Sequence, residues 1–228
     1  MRIKPVTIFY VAGVVLMAGI FYSLFTFFNT GQVSREKSVN DATKILKQIS
    51  SNNFKKPYIY GSFKSKDQEV SSLVETLKEN VPLAQNVTYN SKKYDRDDVL
   101  NQLANKIYEL EFSNLSFDIT DVQMNNRLRT AVSFTGKQLT ITNFLSQSLA
   151  NVNDELQLQK GVDSLSQSQY ALAEYVFLNN NWADFKKEYS IKGDTLKTTV
   201  DLTFKPGSNP HFQIDYSTAK KIQESFLK

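Results

Sequence analysis

The hydrophobic pattern opens with 23 residues, 6–28, that carry no charge: VTIFYVAGVVLMAGIFYSLFTFF. At about 1.5 Å per residue, a helix of this length spans roughly 34 Å, enough for a hydrocarbon core of about 30 Å with modest tilt. The pattern that follows is that of a protein in water. Val39, Ala42, Leu46 and Ile49 recur at helical spacing and stop at Ser50-Ser51-Asn52-Asn53, which predicts an amphipathic helix of about 16 residues. Pro57 and Gly61 bracket residues 58–60, which must be extended or loop. A second helix starts at Asp67, carries Val70, Leu73, Val74 and Leu77 on one face, and is closed by Asn80 and Pro82. Residues 83–93 are polar and read as loop. A third helix begins at Asp95 with the apolar face Leu100, Leu103, Ile107 and Leu110. Asp97 and Asp98 fall in its first turn, where acids complement the positive end of the helix dipole.

The period then switches from 3.6 to 2. Leu115, Phe117 and Ile119 alternate with polar residues, as do Leu128, Thr130, Val132 and Phe134, with Asn125-Asn126 as a turn between them. Helical stretches over 142–158 (Leu145, Leu149, Val152, Leu156) and 163–180 (Leu165, Leu172, Val176, Phe177) come next, the second stopped by Asn179-Asn180-Asn181. Tyr189 and Ile191 lead into a turn signal at Lys192-Gly193-Asp194. Leu196, Thr198, Val200, Leu202 and Phe204 form the most strictly alternating strand in the chain. After Pro206-Gly207-Ser208-Asn209-Pro210, the residues Phe212, Ile214 and Tyr216 alternate again, and Ser217 can cap a last short helix with Ile222 and Phe226. Blocks in this order predict an α+β fold with an antiparallel sheet rather than a doubly wound one. The division expected is a short tail and transmembrane anchor over 1–28, a helical membrane-proximal region over 29–93, and an α+β domain over 94–228.

Orientation follows from the flanks of the apolar run. A cleaved signal peptide usually has an apolar stretch of about 7–15 residues ending in small residues. This run is longer and ends at Phe27-Phe28-Asn29-Thr30, so an uncleaved anchor is expected. Arg2 and Lys4 precede it and Arg35 and Lys37 follow it, so the positive-inside count is nearly balanced. The N-terminal charges lie closer, and a tail that short cannot hold a domain inside. The expectation is a cell-membrane protein with its N-terminus cytoplasmic and its C-terminal domain extracytoplasmic. Ala12, Gly19, Ser23 and Thr26 share one face of the run, and Gly19-x-x-x-Ser23 is a small-xxx-small pair through which another membrane helix could approach.

Composition mainly excludes. The pI of about 9.0 reflects no basic groove. Removing Arg2 and Lys4 from 27 Lys+Arg, against 23 Asp+Glu, leaves the rest at +2, and no Lys/Arg run exceeds the pairs Lys55-Lys56 and Lys186-Lys187. A nucleic-acid partner is not expected. Cysteine is absent, which excludes disulfides, thiolate catalysis, cysteine-ligated zinc and an acylated lipobox cysteine. The single histidine, His211, sits between Pro210 and Phe212 and reads as a turn residue. No GxSxG, GxGxxG or phosphate loop occurs. No catalytic set, cofactor or metal site is expected.

Two stretches together resemble a family. Residues 41–54, DATKILKQISSNNF, are similar to the helix and short polar stop that open cystatin/NTF2-like extracytoplasmic domains of Gram-positive membrane proteins and lipoproteins. Residues 196–226, LKTTVDLTFKPGSNPHFQIDYSTAKKIQESF, resemble their closing hairpin and helix, with Phe212 where a tryptophan usually stands, followed by Ile214 and Asp215. The same layout is shared with VirB8-like subunits of conjugation and type IV secretion machines. The resemblance implies helices packed on a curved sheet and a non-catalytic scaffold or assembly subunit of a membrane complex. Its expected partners are the lipid bilayer and other membrane proteins, a second copy of the chain included. The alternative it implies is an extracytoplasmic ligand-binding domain using the concave face of the sheet. Such folds host enzymes and binding modules alike, so the fold transfers no activity.

Overall fold

The computed structural model describes residues 34–126, 128–159 and 162–227. The apolar run 6–28, with Ala12, Gly19, Ser23 and Thr26, lies outside the described residues. Among the described residues no helix is long and apolar enough to cross a membrane.

Helix α1 (Arg35–Ser50) starts at Ser34, whose side chain accepts from the Lys37 N–H. It ends in a Schellman motif. Asn52 takes the left-handed conformation (φ 50°), its N–H donates to the Ile49 carbonyl at 3.3 Å, and the Asn53 N–H donates to the Gln48 carbonyl at 3.0 Å. The polar stop legible in the sequence is therefore a defined cap. Helix α2 (Lys66–Asn80) opens with a capping box made by Ser65 and Gln68. Helix α3 (Arg96–Asn114) is capped by Asp95, with Asp97 and Asp98 in its first turn as the dipole argument requires.

A five-stranded sheet has the order β1-β7-β6-β5-β4. Strands β4 (Phe117–Asn126), β5 (Arg129–Leu139), β6 (Lys192–Lys205) and β7 (His211–Asp215) pair antiparallel. The two-residue β1 (Ile59–Tyr60) pairs parallel with β7 through Ile59 and Ile214. The sheet is thus mixed, not purely antiparallel, because the chain leaving α1 returns along the free edge of β7. A two-residue strand carries no alternation to betray it. One face of the sheet presents Val132, Phe134, Val200, Leu202, Phe204, Phe212 and Ile214, all buried. Helix α1 and the final α7 (Tyr216–Phe226) pack on β4, β5 and β7. Phe117, Phe134 and Phe226 interlock there with ring centroids 4.9 to 6.2 Å apart. Gly136 permits that closeness, since a Cβ would stand 2.9 Å from both Phe117 Cδ1 and Phe226 Cε1. On the opposite face Lys197, Thr199 and Asp201 are exposed, and Ser133 and Thr199 join hydroxyls at 2.8 Å. On α7, Gln223 Nε2 donates to the Ile49 carbonyl at 2.7 Å, tying that helix to the end of α1.

Helices α2, α3, α4 (Ile141–Gln157) and α5 (Gln167–Asn180) pack on one another as a helical half. Three expectations change here. Residues 83–93 are not loop. They contain most of a hairpin, β2 (Asn86–Tyr89) and β3 (Lys92–Asp95), turned by Asn90 and Ser91 at φ 50° and 61°. Two positive-φ residues make the primed turn that matches strand twist, but Asn-Ser advertises it less than Asn-Gly. The stretch 163–180 is broken: a 3-10 turn at Val162–Ser164 precedes α5, which restarts at a Ser166/Gln169 capping box. Asn181 ends α5, yet it also opens α6 (Trp182–Glu188), which the asparagine run concealed.

Two local readings also change. Lys192-Gly193-Asp194 is no turn; β6 runs through it, opposite a register shift between Lys137 and Leu139. The last helix is capped by Asp215 rather than Ser217, because the carboxylate accepts the Thr218 N–H at 2.9 Å and the Ser217 hydroxyl at 2.9 Å.

Candidate functional site

The helical half carries a half-open cavity of about 420 Å³, with Thr76, Thr142 and Ser146 exposed at its mouth. Three of its walls come from apolar stripes already visible in the sequence, and the fourth, from α5, does not. Leu73 and Leu77 come from α2, Leu103 and Ile107 from α3, Leu145 and Leu149 from α4, Tyr175 and Leu178 from α5, and Leu227 closes one end. Amphipathic helices bury such stripes against each other, and here three of them meet the largely buried α5 without filling the space between. The polar groups on the wall are those of Thr76, Thr142, Ser146 and Glu111, with the Tyr175 hydroxyl.

Glu111 is the unusual member. It falls one turn after Ile107 on the apolar face of α3, where a solvated helix places a leucine. Burial pushes its carboxyl from the ordinary 4.5 to about 7; Lys220 draws it down and Glu69 pushes it further up. Glu69 and Lys220 are paired across α2 and α7 at 3.0 Å, and Lys220 also donates to Gln223 Oε1 at 2.7 Å. A second cavity of about 520 Å³ adjoins the first between α2, α3 and α7. The two share Leu73, Glu111 and Leu227, so Glu111 stands between an apolar chamber and a charged one.

A carboxyl that titrates near neutrality inside a cleft is the usual mark of a functional position. Glu111, Glu69 and Lys220 escaped sequence reasoning because they lie on three helices. The one sequence signal was a glutamate within the stripe Leu103, Ile107, Leu110. On the sheet's covered face Phe134, Phe204, Phe212 and Phe226 are buried against one another, and a cavity of about 400 Å³ remains between α1 and β4, lined by Val39, Leu46, Phe117 and Ile119.

His211 is not a turn residue. It begins β7, is 6% exposed, and its Nδ1 lies 2.7 Å from the Asn209 carbonyl, so that nitrogen donates. Its Nε2 is buried without a hydrogen-bond partner among the described residues, and Tyr58 packs on the ring edge-on at 5.9 Å. The parallel strand β1, unseen in the sequence, brings Tyr58 there. Asp95 caps α3 and Asp97 and Asp98 lie in its first turn, with Asp97 engaged by Lys78 and Arg96. Among the described residues no three His, Asp or Glu side chains converge as a metal site.

Fold and cavity together define an α+β domain whose mixed sheet is backed by two helices and whose helical half carries a ligand-sized apolar pocket. No family model and no curated protein matches the chain. Among solved structures it is similar to ycdA of Bacillus subtilis, a protein described as a candidate lipoprotein, with TM-score 0.50 and 18% identity. The likeness covers 90% of this chain and 59% of that one, and at this identity it concerns the fold alone.

Proposed function

We propose that this is a non-catalytic, membrane-held domain of NTF2/cystatin-like layout, acting outside the cytoplasm as a scaffold or assembly subunit of a membrane protein complex. The observation that supports the reading is the aromatic packing of the sheet's covered face, where Phe117, Phe134 and Phe226 interlock. The charge-free run 6–28 supports the anchor. The B. subtilis protein's description as a candidate lipoprotein is in keeping with a domain held at a membrane. The present sequence has no cysteine to accept a lipid, so its attachment would be by helix. VirB8-like transfer components fit this class.

The test is recovery of partners with the full-length chain in mild detergent. Membrane proteins should accompany it and be lost when Gly19 and Ser23 are both replaced by Leu, while the soluble domain stays folded. Full function of an anchor-free domain released into the medium would overturn the reading. A second reading, a ligand-binding domain, is favoured by Glu111 beside the apolar cavity, which moves the site from the sheet to the helices.

A further inference from the structure

We propose that the cavity between α2, α3, α4 and α5 takes the hydrocarbon tail of a single-chain amphiphile whose head is an ammonium group, seated beside Glu111. The inference rests on the ligand-binding reading and adds the chemistry of the ligand.

Size and lining define the tail. About 420 Å³ lies within the range of small-molecule sites, roughly 300–1,000 Å³. Leu103, Ile107, Leu149 and Leu178 offer the inner wall no hydrogen bond, so a chain of methylenes gains by burial there and a polar group loses. The head must then lie where the apolar cavity meets the charged one, and Glu111 is the side chain at that junction.

Charge selects the head. Facing Glu111 are Glu69 from α2 and Lys220 from α7, and these two already form an ion pair at 3.0 Å. Lys64, Lys221 and Glu224 stand at the outer rim, exposed and screened by solvent. From α4 and α5 come only Thr142, Ser146 and Tyr175, which carry no charge. Glu111 is therefore the one inner carboxyl without an opposite charge of its own among the described residues. An ammonium compensates it, whereas a carboxylate or phosphate head would meet two acids and a lysine already engaged. Binding of the cation favours the ionised carboxylate, so the ligand should release a proton from Glu111 and bind more tightly as pH rises.

The absence of cysteine permits a local readout. Ser146 is exposed at the cavity wall, and Ser146→Cys in the full-length chain can carry a single environment-sensitive fluorophore. In lipid nanodiscs, decylammonium at pH 8 should change its emission at lower concentration than decanol or decanoate. Its midpoint should rise about tenfold at pH 6, following the ionised fraction of an acid with pKa about 7. Adding Glu111→Gln should raise the pH 8 midpoint for decylammonium by a similar factor and remove its pH dependence, leaving decanol unmoved. The pH arm uses the parent glutamate and does not depend on the variant's folding. Equal or tighter binding of decanol or decanoate would overturn the ammonium assignment while leaving a ligand pocket. No emission change with any of the three would overturn the ligand-binding reading itself.

Discussion

Asp41 Oδ2 accepts the backbone N–H of Phe212 at 3.0 Å, joining α1 to β7 across 171 residues. Asp41 is 3% exposed and Phe212 is fully buried, with Lys37 Nζ 3.7 Å from the same carboxylate oxygen. The two stretches that carry the family resemblance are held together by this bond. Asp41→Ala strips a buried N–H of its acceptor and should cost about 1–3 kcal/mol, whereas Asp41→Asn keeps an acceptor and should cost less. Urea melts of the three proteins check the order; equal midpoints would mean the bond contributes nothing net.

The register of β6 makes a paired prediction. Val200 faces the helices opposite Val132, and its neighbour Thr199 faces solvent opposite Ser133. Val200→Asp would bury an unpaired carboxylate and should destabilise by on the order of 3 kcal/mol or more. Thr199→Asp should stay within about 0.5 kcal/mol of the parent. Thermal melts that rank the two the other way would reverse the face assigned to the strand.

At the β2–β3 turn, Ser91 holds φ 61° after Asn90 at φ 50°. A residue with a Cβ is strained there and glycine is not, so Ser91→Gly should stabilise by about 0.5–1 kcal/mol despite the entropy glycine adds to the unfolded chain. A lower melting temperature for this variant would count against the primed turn.

Glu111 sets a pH dependence. Its folded-state pKa, about 7, lies above the ordinary 4.5, so the folded state holds its proton more tightly than the unfolded state does. The stability this contributes is fully present below pH 4.5, falls as pH rises, and is lost above about 7. Glu111→Gln keeps the shape without the titration. Relative to that variant, the parent should lose up to about 3 kcal/mol between pH 4.5 and 8, less whatever the partial exposure of the site screens. Chemical denaturation at the two pH values measures it, and parallel curves would show that folding leaves the Glu111 carboxyl unshifted. Lys220→Met should raise the Glu111 pKa further, which a carboxyl-carbon NMR titration would detect.

Local order determined what the sequence could show alone. Helices α1 to α4 and strands β4 to β6 were legible because each buries a single face, whereas α5, buried on nearly all sides, was legible only as an apolar run without its start. Val39, Ala42, Leu46 and Ile49 repeat on a helix turn, and Val200, Leu202 and Phe204 on a pleat, whatever they pack against. Asp95, Asp97 and Asp98 were equally legible, because a cap acts within one turn. The charge-free run 6–28 belongs to the same class of local signal, although it lies outside the described residues. What depended on distant partners was hidden. Strand β1 exists only because β7 offers it an edge, the Asn90-Ser91 turn only because Val87 and Tyr89 find a wall to bury against, and Asp41 has a role only once Phe212 arrives. The candidate site is the extreme case. Glu69, Glu111 and Lys220 are ordinary surface residues until three helices converge, and burial by those neighbours shifts the Glu111 carboxyl. Desolvation is a property of the surroundings, and the surroundings are settled by the tertiary fold.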